Sequence, residues 1–198
     1  PEGKPGFVVM GMGKLGGEEL NFSSDIDLIY FYSSDEGQAG SLSLHEYYAK
    51  LAQGVTRALD ERTEDGQVFR VDLRLRPEGR TGAVCNSLPA AESYYEAFGR
   101  TWERQAFLRA RPCAWDRALG ATLLKMLEPF VYPRTLGPGA IDEVRALRRL
   151  FRDETKGPTW NVKLGDGGIR DVELCAQLLQ LLWGGKRPEV RERGTLSG

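Results

Sequence analysis

Three aspartates stand where they could act together. Asp25-Ile26-Asp27 opens an apolar run ending at Tyr32, and strand alternation points both carboxylates to one face while Ile26 and Leu28 turn to the other. Two anions side by side repel. They persist at low cost only when solvated, paired with cations, or holding a hard, oxygen-binding metal such as Mg²⁺. Asp72 lies in a second alternating stretch, residues 68–76, on a face shared with Arg74 and Arg76. If the two strands join one sheet, three carboxylates meet beside two guanidinium groups. That is equipment for phosphoryl chemistry: metal ions held by carboxylates neutralise phosphate, and arginine forks stabilise its equatorial oxygens. For Asp72 a plainer reading also stands, a solvated strand face salt-bridged to its neighbours.

Upstream, Phe7-Val-Val-Met10 runs into Gly11-Met12-Gly13-Lys14-Leu15-Gly16-Gly17. The spacing matches G-x-G-x-x-G, with Asp35 and Glu36 near the position of a ribose-binding carboxylate, yet only residues 18–24 separate it from the next strand. A parallel crossover needs a dozen or more residues, so a dinucleotide fold is disfavoured. A Walker A motif is excluded because Lys14 precedes Gly16. What survives is a glycine turn whose free N–H groups at the start of a short helix could cradle a phosphate, with Lys14 adding charge. A tight turn without a ligand is the alternative.

These residues require a scaffold. The pattern predicts a strand at 7–10, a glycine loop with a short helix, a strand at 26–32, and a polar loop over 33–42. A helix over 44–62 follows, opened by the capping box Ser43-x-x-Glu46, with Leu51, Val55 and Leu59 as its core stripe. The third strand, with Val71, Leu73 and Leu75 on its apolar face, ends at Pro77 and Gly79. From Pro89 the pattern turns helical, with segments near 90–99, 102–110, 117–127, 141–154 and 169–183. Glu103, Arg104, Arg109 and Arg111, on a presumed helix, suit either the cleft or surface salt bridges. Gly167-Gly168 either faces a phosphate or punctuates a helix start, where Asp171 and Glu173 favour the dipole.

Composition removes other classes. Lys and Arg number 27 against 28 Asp and Glu, a net charge of −1, so no whole-chain positive field draws the protein to nucleic acid or anionic membrane. No apolar run approaches a membrane span and no signal peptide is read, so a cytoplasmic protein is expected. The single histidine, His45, sits in a first helical turn, which disfavours two-histidine metal sites and a serine triad. Cys85, Cys113 and Cys175 lack partners at metal-ligand spacing and read as packing residues. Trp102, Trp115, Trp160 and Trp183 likewise read as core rather than base-stacking residues. Both ends look cut, so a fragment of a longer chain is expected.

At its glycine loop and aspartates the chain resembles the nucleotidyltransferase superfamily of the DNA polymerase β type. Within it, Gly11 to Gly17, Asn21-Phe-Ser-Ser-Asp-Ile-Asp-Leu28 and Arg70-Val-Asp-Leu-Arg-Leu-Arg-Pro77 are similar to the bifunctional glutamine synthetase adenylyltransferase/adenylyl-removing family. The likeness continues through residues 99–104, 110–112, 129–132 and 163–173. Asn21-Phe22 and Lys163-Leu164-Gly165 look more like the amino-terminal, adenylyl-removing half than the adenylylating half.

The resemblance implies an α+β nucleotidyltransferase fold, a small mixed sheet flanked by helices, followed by an α-helical domain. We expect a catalytic core over 1–115 and a helical domain over 116–198. Asp25, Asp27 and Asp72 match the family's catalytic carboxylates and would bind Mg²⁺. Gly16, Gly17 and Ser24 match its nucleotide-phosphate motif, and Lys14, Arg74 and Arg76 join them on charge alone. The implied activity is phosphorolysis of the AMP–tyrosine bond of modified glutamine synthetase, giving ADP. ATP-dependent adenylylation of that tyrosine, and a non-catalytic nucleotide- or signal-protein-binding module, are the alternatives. Glutamine synthetase, an adenine nucleotide, phosphate and a PII-type signal protein are the implied partners.

Overall fold

The computed structural model describes residues 6–135, 139, 142, 162–163, 165 and 167–195. Its centre is a pair of buried antiparallel strands, β1 (Phe7–Gly11) and β2 (Ile26–Tyr32), with Gly11 opposite Leu28 and Phe7 opposite Tyr32. Antiparallel pairing needs no crossover helix, so the short α1 (Gly13–Gly16) suffices between them. Nearly every residue of both strands is buried because both sheet faces are covered.

One face carries Phe7, Val9, Ile26, Leu28, Tyr30 and Tyr32 against α2 (Leu44–Asp60). The capping box predicted at Ser43 and Glu46 is formed. The buried centre of α2 is Leu44, Tyr48 and Ala52, with Tyr48 stacked on Phe7 at 5.4 Å and on Tyr32 at 5.0 Å. Leu51, Val55 and Leu59, the stripe read from sequence, flank that centre and are only partly buried. The loop before α2 holds a small hairpin, β3 (Gln38–Ala39) and β4 (Leu42–Ser43).

The third predicted strand is shorter than expected. Only β5 (Val71–Asp72) pairs with β2, in parallel, and the chain turns at Arg74 and Leu75. The alternation therefore breaks: Val71 and Leu73 pack with the α2 side, and Leu75 with the opposite cluster. A second short strand, β6 (Cys85–Ser87), pairs with β2 further along, also in parallel.

The other sheet face, Val8, Met10, Ile29 and Phe31, is covered by α3 (Leu88–Ala97), α4 (Thr101–Phe107) and α5 (Arg117–Met126), with α6 (Glu128–Val131) and α7 (Ile169–Trp183) completing the same cluster. Between α4 and α5 lies β7 (Arg111–Trp115), an edge strand beside β1. The sequence reading missed it because Pro112 argues against a ladder; here the proline sits at an edge where the register shifts opposite Val9 and Met10.

The predicted helix over 169–183 is present as α7, whereas that over 141–154 lies outside the described residues, as does Trp160. Two core expectations fail: Trp115 and Trp183 are exposed, the first edge-on to Phe7 and the second beneath the Arg187 guanidinium. Cys85 is buried as a packing residue, but Cys175 is exposed.

Candidate active site

The parallel ladder between β2 and β5 sets Ile26 beside Val71 and Asp27 beside Asp72. Residues in register share a face, so the Asp27 and Asp72 carboxylates point the same way, and Asp25, two residues earlier, belongs to that face too. It continues the face that packs Ile29 and Phe31, at the point where apolar cover gives out.

The carboxylates sit in unequal environments. Burial pushes Asp27 up to about 6, with Asp72 and Asp25 raising it further and Arg74 opposing. Asp72 is held below the usual range, first by hydrogen bonds from Arg74, whose Nε lies 2.7 and 3.0 Å from its two oxygens and whose N–H donates at 2.8 Å. Asp25 is paired with Arg70, which also donates to the Ser23 carbonyl at 2.9 Å. Among the described residues no three acidic, cysteine or histidine side chains are already drawn into a metal cage, because Asp25 and Asp72 are turned to guanidinium groups. The donor set is nonetheless oxygen-only, and Asp27 carries repulsion that its neighbours do not cancel. These residues fit a hard divalent cation.

The glycine loop approaches this face at Gly13. Its φ of +50° favours glycine, and a Cβ there would lie 2.7 Å from Asp27 Oδ2, a side-chain end that would have to shift. Gly16 and Gly17 differ from expectation: their N–H groups donate to the Met12 and Gly13 carbonyls, each at 3.0 Å. A Cβ on Gly16 would stand 1.9 Å from the Arg109 carbonyl oxygen, so that glycine serves backbone packing. The amides of Gly13, Lys14 and Leu15 form the first turn of α1, which has no acceptor within the helix, and Gly13 adjoins Asp27. Lys14 is half-buried, and Ser24 lies at the entrance to β2 with its N–H on the Asn21 carbonyl at 3.2 Å.

Arg76 does not share the face of Asp72. The turn at 74–75 sends its guanidinium into the 73–82 loop, where it binds the carbonyls of Leu73, Arg80 and Gly82. Of the later charged residues, Arg111 forms the expected salt bridge with exposed Glu18, at 3.7 Å, whereas Glu103 and Arg109 are buried. Glu103 is fully buried and accepts from Arg100 N–H and Tyr94 hydroxyl. Arg109, 5% exposed, lies 3.5 Å from both Glu19 and Glu173 and donates to Thr195. Arg111 donates to the Leu15 and Gly16 carbonyls and so holds the carboxyl end of α1. Gly167, at φ +74°, and Gly168 punctuate the start of α7, with Asp171 accepting from Gly167 N–H. Gly13 and Arg70 stand in the motifs read from the sequence but received no site role there, although Arg70 shares the parity of Asp72.

A small mixed sheet flanked by helices, with a glycine loop leading to carboxylates on two neighbouring strands, defines a nucleotidyltransferase fold. Residues 1–126 match the family described as glutamate-ammonia ligase adenylyltransferase, and residues 139–197 match that described as GlnD PII-uridylyltransferase. The chain belongs to the glutamate-ammonia ligase adenylyltransferase family. Relatives named bifunctional glutamine synthetase adenylyltransferase/adenylyl-removing enzyme occur in Nitrosococcus oceani (48% identical over 98% of this chain and 21% of the relative) and Pseudomonas aeruginosa (48%, 97% and 21%). Another, from Rhodopseudomonas palustris, is 45% identical over 100% of this chain and 20% of its own length. The chain thus spans about a fifth of the length of these relatives.

Proposed function

We propose that this chain carries a Mg²⁺-dependent catalytic centre that removes AMP from a tyrosine of adenylylated glutamine synthetase by phosphorolysis, releasing ADP and unmodified enzyme. The observation that carries the reading is the shared face of Asp25, Asp27 and Asp72, within a family whose named members act on glutamine synthetase. The direction rests on Asn21-Phe22 and on Lys163-Leu164-Gly165, which resemble the adenylyl-removing half.

Asp25, Asp27 and Asp72 would hold the cation, releasing Arg70 and Arg74 from their present partners. When bound, the cation supplies charge neutralisation at the α-phosphate. The amides of Gly13, Lys14 and Leu15, with the Lys14 ammonium, bind oxygens of the attacking phosphate beside Asp27. Arg74, exposed at the rim, adds a fork for equatorial oxygens, and Gly16, Gly17 and Ser24 hold the loop that presents these donors. Arg76 supports the arrangement through its loop. Orientation does most of the work, and no covalent enzyme intermediate is required. In the adenylylating direction, a carboxylate of this face is suited to take the tyrosine proton.

The match of residues 139–197 to a PII-uridylyltransferase description favours a PII-type signal protein as a regulatory partner. Among the described residues no helix is long and apolar enough to cross a membrane, in keeping with the cytoplasmic location we propose.

The test supplies adenylylated glutamine synthetase, phosphate and Mg²⁺ and follows ADP. Absence of ADP, or undiminished activity in an Asp25→Asn/Asp27→Asn variant, would overturn the proposal. Pyrophosphate release with labelling of glutamine synthetase identifies the adenylylating direction instead, and tight nucleotide binding without turnover identifies a regulatory module.

A further inference from the structure

The helix α1 is four residues long, and a helix that short is all ends: each of its carbonyls has to be satisfied by groups beyond it. A single turn does not hold itself together either, because nucleating it costs more than its own hydrogen bonds return. The carbonyls are met one by one. Gly13 accepts from Gly17 N–H at 3.0 Å, Lys14 from Glu19 N–H at 2.9 Å, and Leu15 and Gly16 from the Arg111 guanidinium at 2.9 and 3.2 Å. Arg111 is anchored on β7, whereas Glu19 lies in the loop beyond α1. What holds Glu19 therefore bears on Lys14.

Glu19 is held by a residue 176 positions further along the chain. Thr195 N–H donates to its Oε1 at 2.6 Å and the Thr195 hydroxyl to its Oε2 at 3.0 Å, while the same hydroxyl accepts from buried Arg109. One hydroxyl thus uses both its donor and its acceptor. The segment that carries Thr195 is itself pinned: Gln180 of α7 donates to the Glu192 carbonyl at 2.5 Å, and Arg191 donates to the Gly184 carbonyl at 2.7 Å with its guanidinium 4.5 Å from the Tyr132 ring centre. A Cβ on Gly17 would stand 3.1 Å from the Arg193 carbonyl oxygen, so this segment passes directly against the end of the glycine loop. None of Glu19, Arg109 and Thr195 has a chemical part in the proposed function.

We infer that Thr195 is a positioning residue: through Glu19 it fixes the Lys14 carbonyl, and with it the orientation in which α1 presents its donors to the attacking phosphate. This rests on the reading that Gly13, Lys14 and Leu15 receive that phosphate. Removing the hydroxyl leaves a buried arginine N–H and a carboxylate oxygen each short of a partner, and the loop shifts or loosens to find others. Donors that are slightly displaced still bind, but less well, so the loss falls on phosphate and spares the protein substrate. A residue that only stabilised the fold would lower the active fraction and leave both KM values as they were.

The test uses the intact polypeptide that carries this chain, with Thr195→Val, which keeps the shape and the N–H but drops the hydroxyl, and Thr195→Ser, which keeps both hydrogen-bonding groups. Steady-state rates are measured with phosphate varied and then with adenylylated glutamine synthetase varied. Hydrogen exchange is followed over residues 16–19, whose N–H groups bond to the carbonyls of Met12, Gly13, Leu15 and Lys14. For Thr195→Val the expected result is a KM for phosphate raised about tenfold, a KM for the protein substrate within about twofold, and exchange over 16–19 about tenfold faster, with Thr195→Ser behaving as wild type. An unchanged KM for phosphate would overturn the proposal, as would a fall in kcat with both KM values unmoved. A serine variant as impaired as the valine one also refutes it, because the hydroxyl is then not what matters. If the wild type releases no ADP, the catalytic reading fails by itself. Positioning is then decided by exchange alone: faster in Thr195→Val than in wild type and Thr195→Ser upholds it, and equal exchange in all three refutes it.

Discussion

Two clusters of charge lie on either side of the glycine loop, and they are built on opposite terms. On the β2–β5 face, carboxylates crowd together, Asp27 is pushed up to about 6, and the guanidinium groups that answer Asp25 and Asp72 are themselves about 60% exposed. Beneath α1, Arg109 is almost wholly buried between Glu19 and Glu173, while Arg111 spends its donors on two carbonyls. Compensated charge builds the frame, and the uncompensated face is where a ligand gains most. The loop between them carries Gly13 toward the second and Gly16 toward the first.

The largest effect that would sharpen this contrast is on chemistry. Asp27→Asn should lower turnover on the order of 10³-fold, measured as ADP released per enzyme, while circular dichroism remains native. Next, Arg109→Ala should leave two carboxylates facing a void and destabilise the protein by about 3 kcal/mol in a denaturant titration. A loss below about 1 kcal/mol would erase the distinction between the clusters.

A pH series tests the other side. Asp27 titrates at about 6 when folded, against an ordinary 3.8, so the folded state binds its proton more tightly. That contribution is full below pH 3.8 and lost as pH rises through 6. The shift corresponds to roughly 3 kcal/mol, discounted to on the order of 1–2 for solvent screening of a partly exposed group. Asp27→Asn should therefore be more stable than wild type at pH 7.5 by that amount, and equal to it near pH 4. Mg²⁺ should raise the wild-type Tm at pH 7.5 and lose that effect near pH 4.5; a cation response independent of pH would break the argument. The smallest effect belongs far from both clusters: Ser43→Ala removes one half of the α2 capping box and should cost about 1 kcal/mol.

Legibility followed the kind of force at work. The antiparallel β1–β2 pair, α2 with its cap, α5 and α7 were readable because burial and capping leave local periodic marks. The shared face of Asp27 and Asp72 was readable as parity on the condition that the two strands join one sheet, but not the two-residue parallel pairing that realises it. The turn at Arg74 was hidden because alternation in Leu73-Arg74-Leu75-Arg76 mimics a strand while the two leucines pack into different clusters. β7 was hidden by Pro112, and the backbone roles of Gly16, Arg109 and Arg111 arise only once distant segments touch. Gly13 was present in the motif, yet what favours glycine there, a φ of +50° beside a carboxylate from the next strand, shows only in the fold.

The ladder between β2 and β5 is two residues long, fixed by Ile26 beside Val71 and Asp27 beside Asp72, with one preceding bond from Ile26 N–H to the Arg70 carbonyl. Sliding β5 by a single position would bring Val71 to the carboxylate face and send Asp72 into the apolar layer. On the proposed reading the length of the linker over residues 61–70 sets which side chains reach the carboxylate face, and a one-residue insertion or deletion there is expected to abolish ADP release.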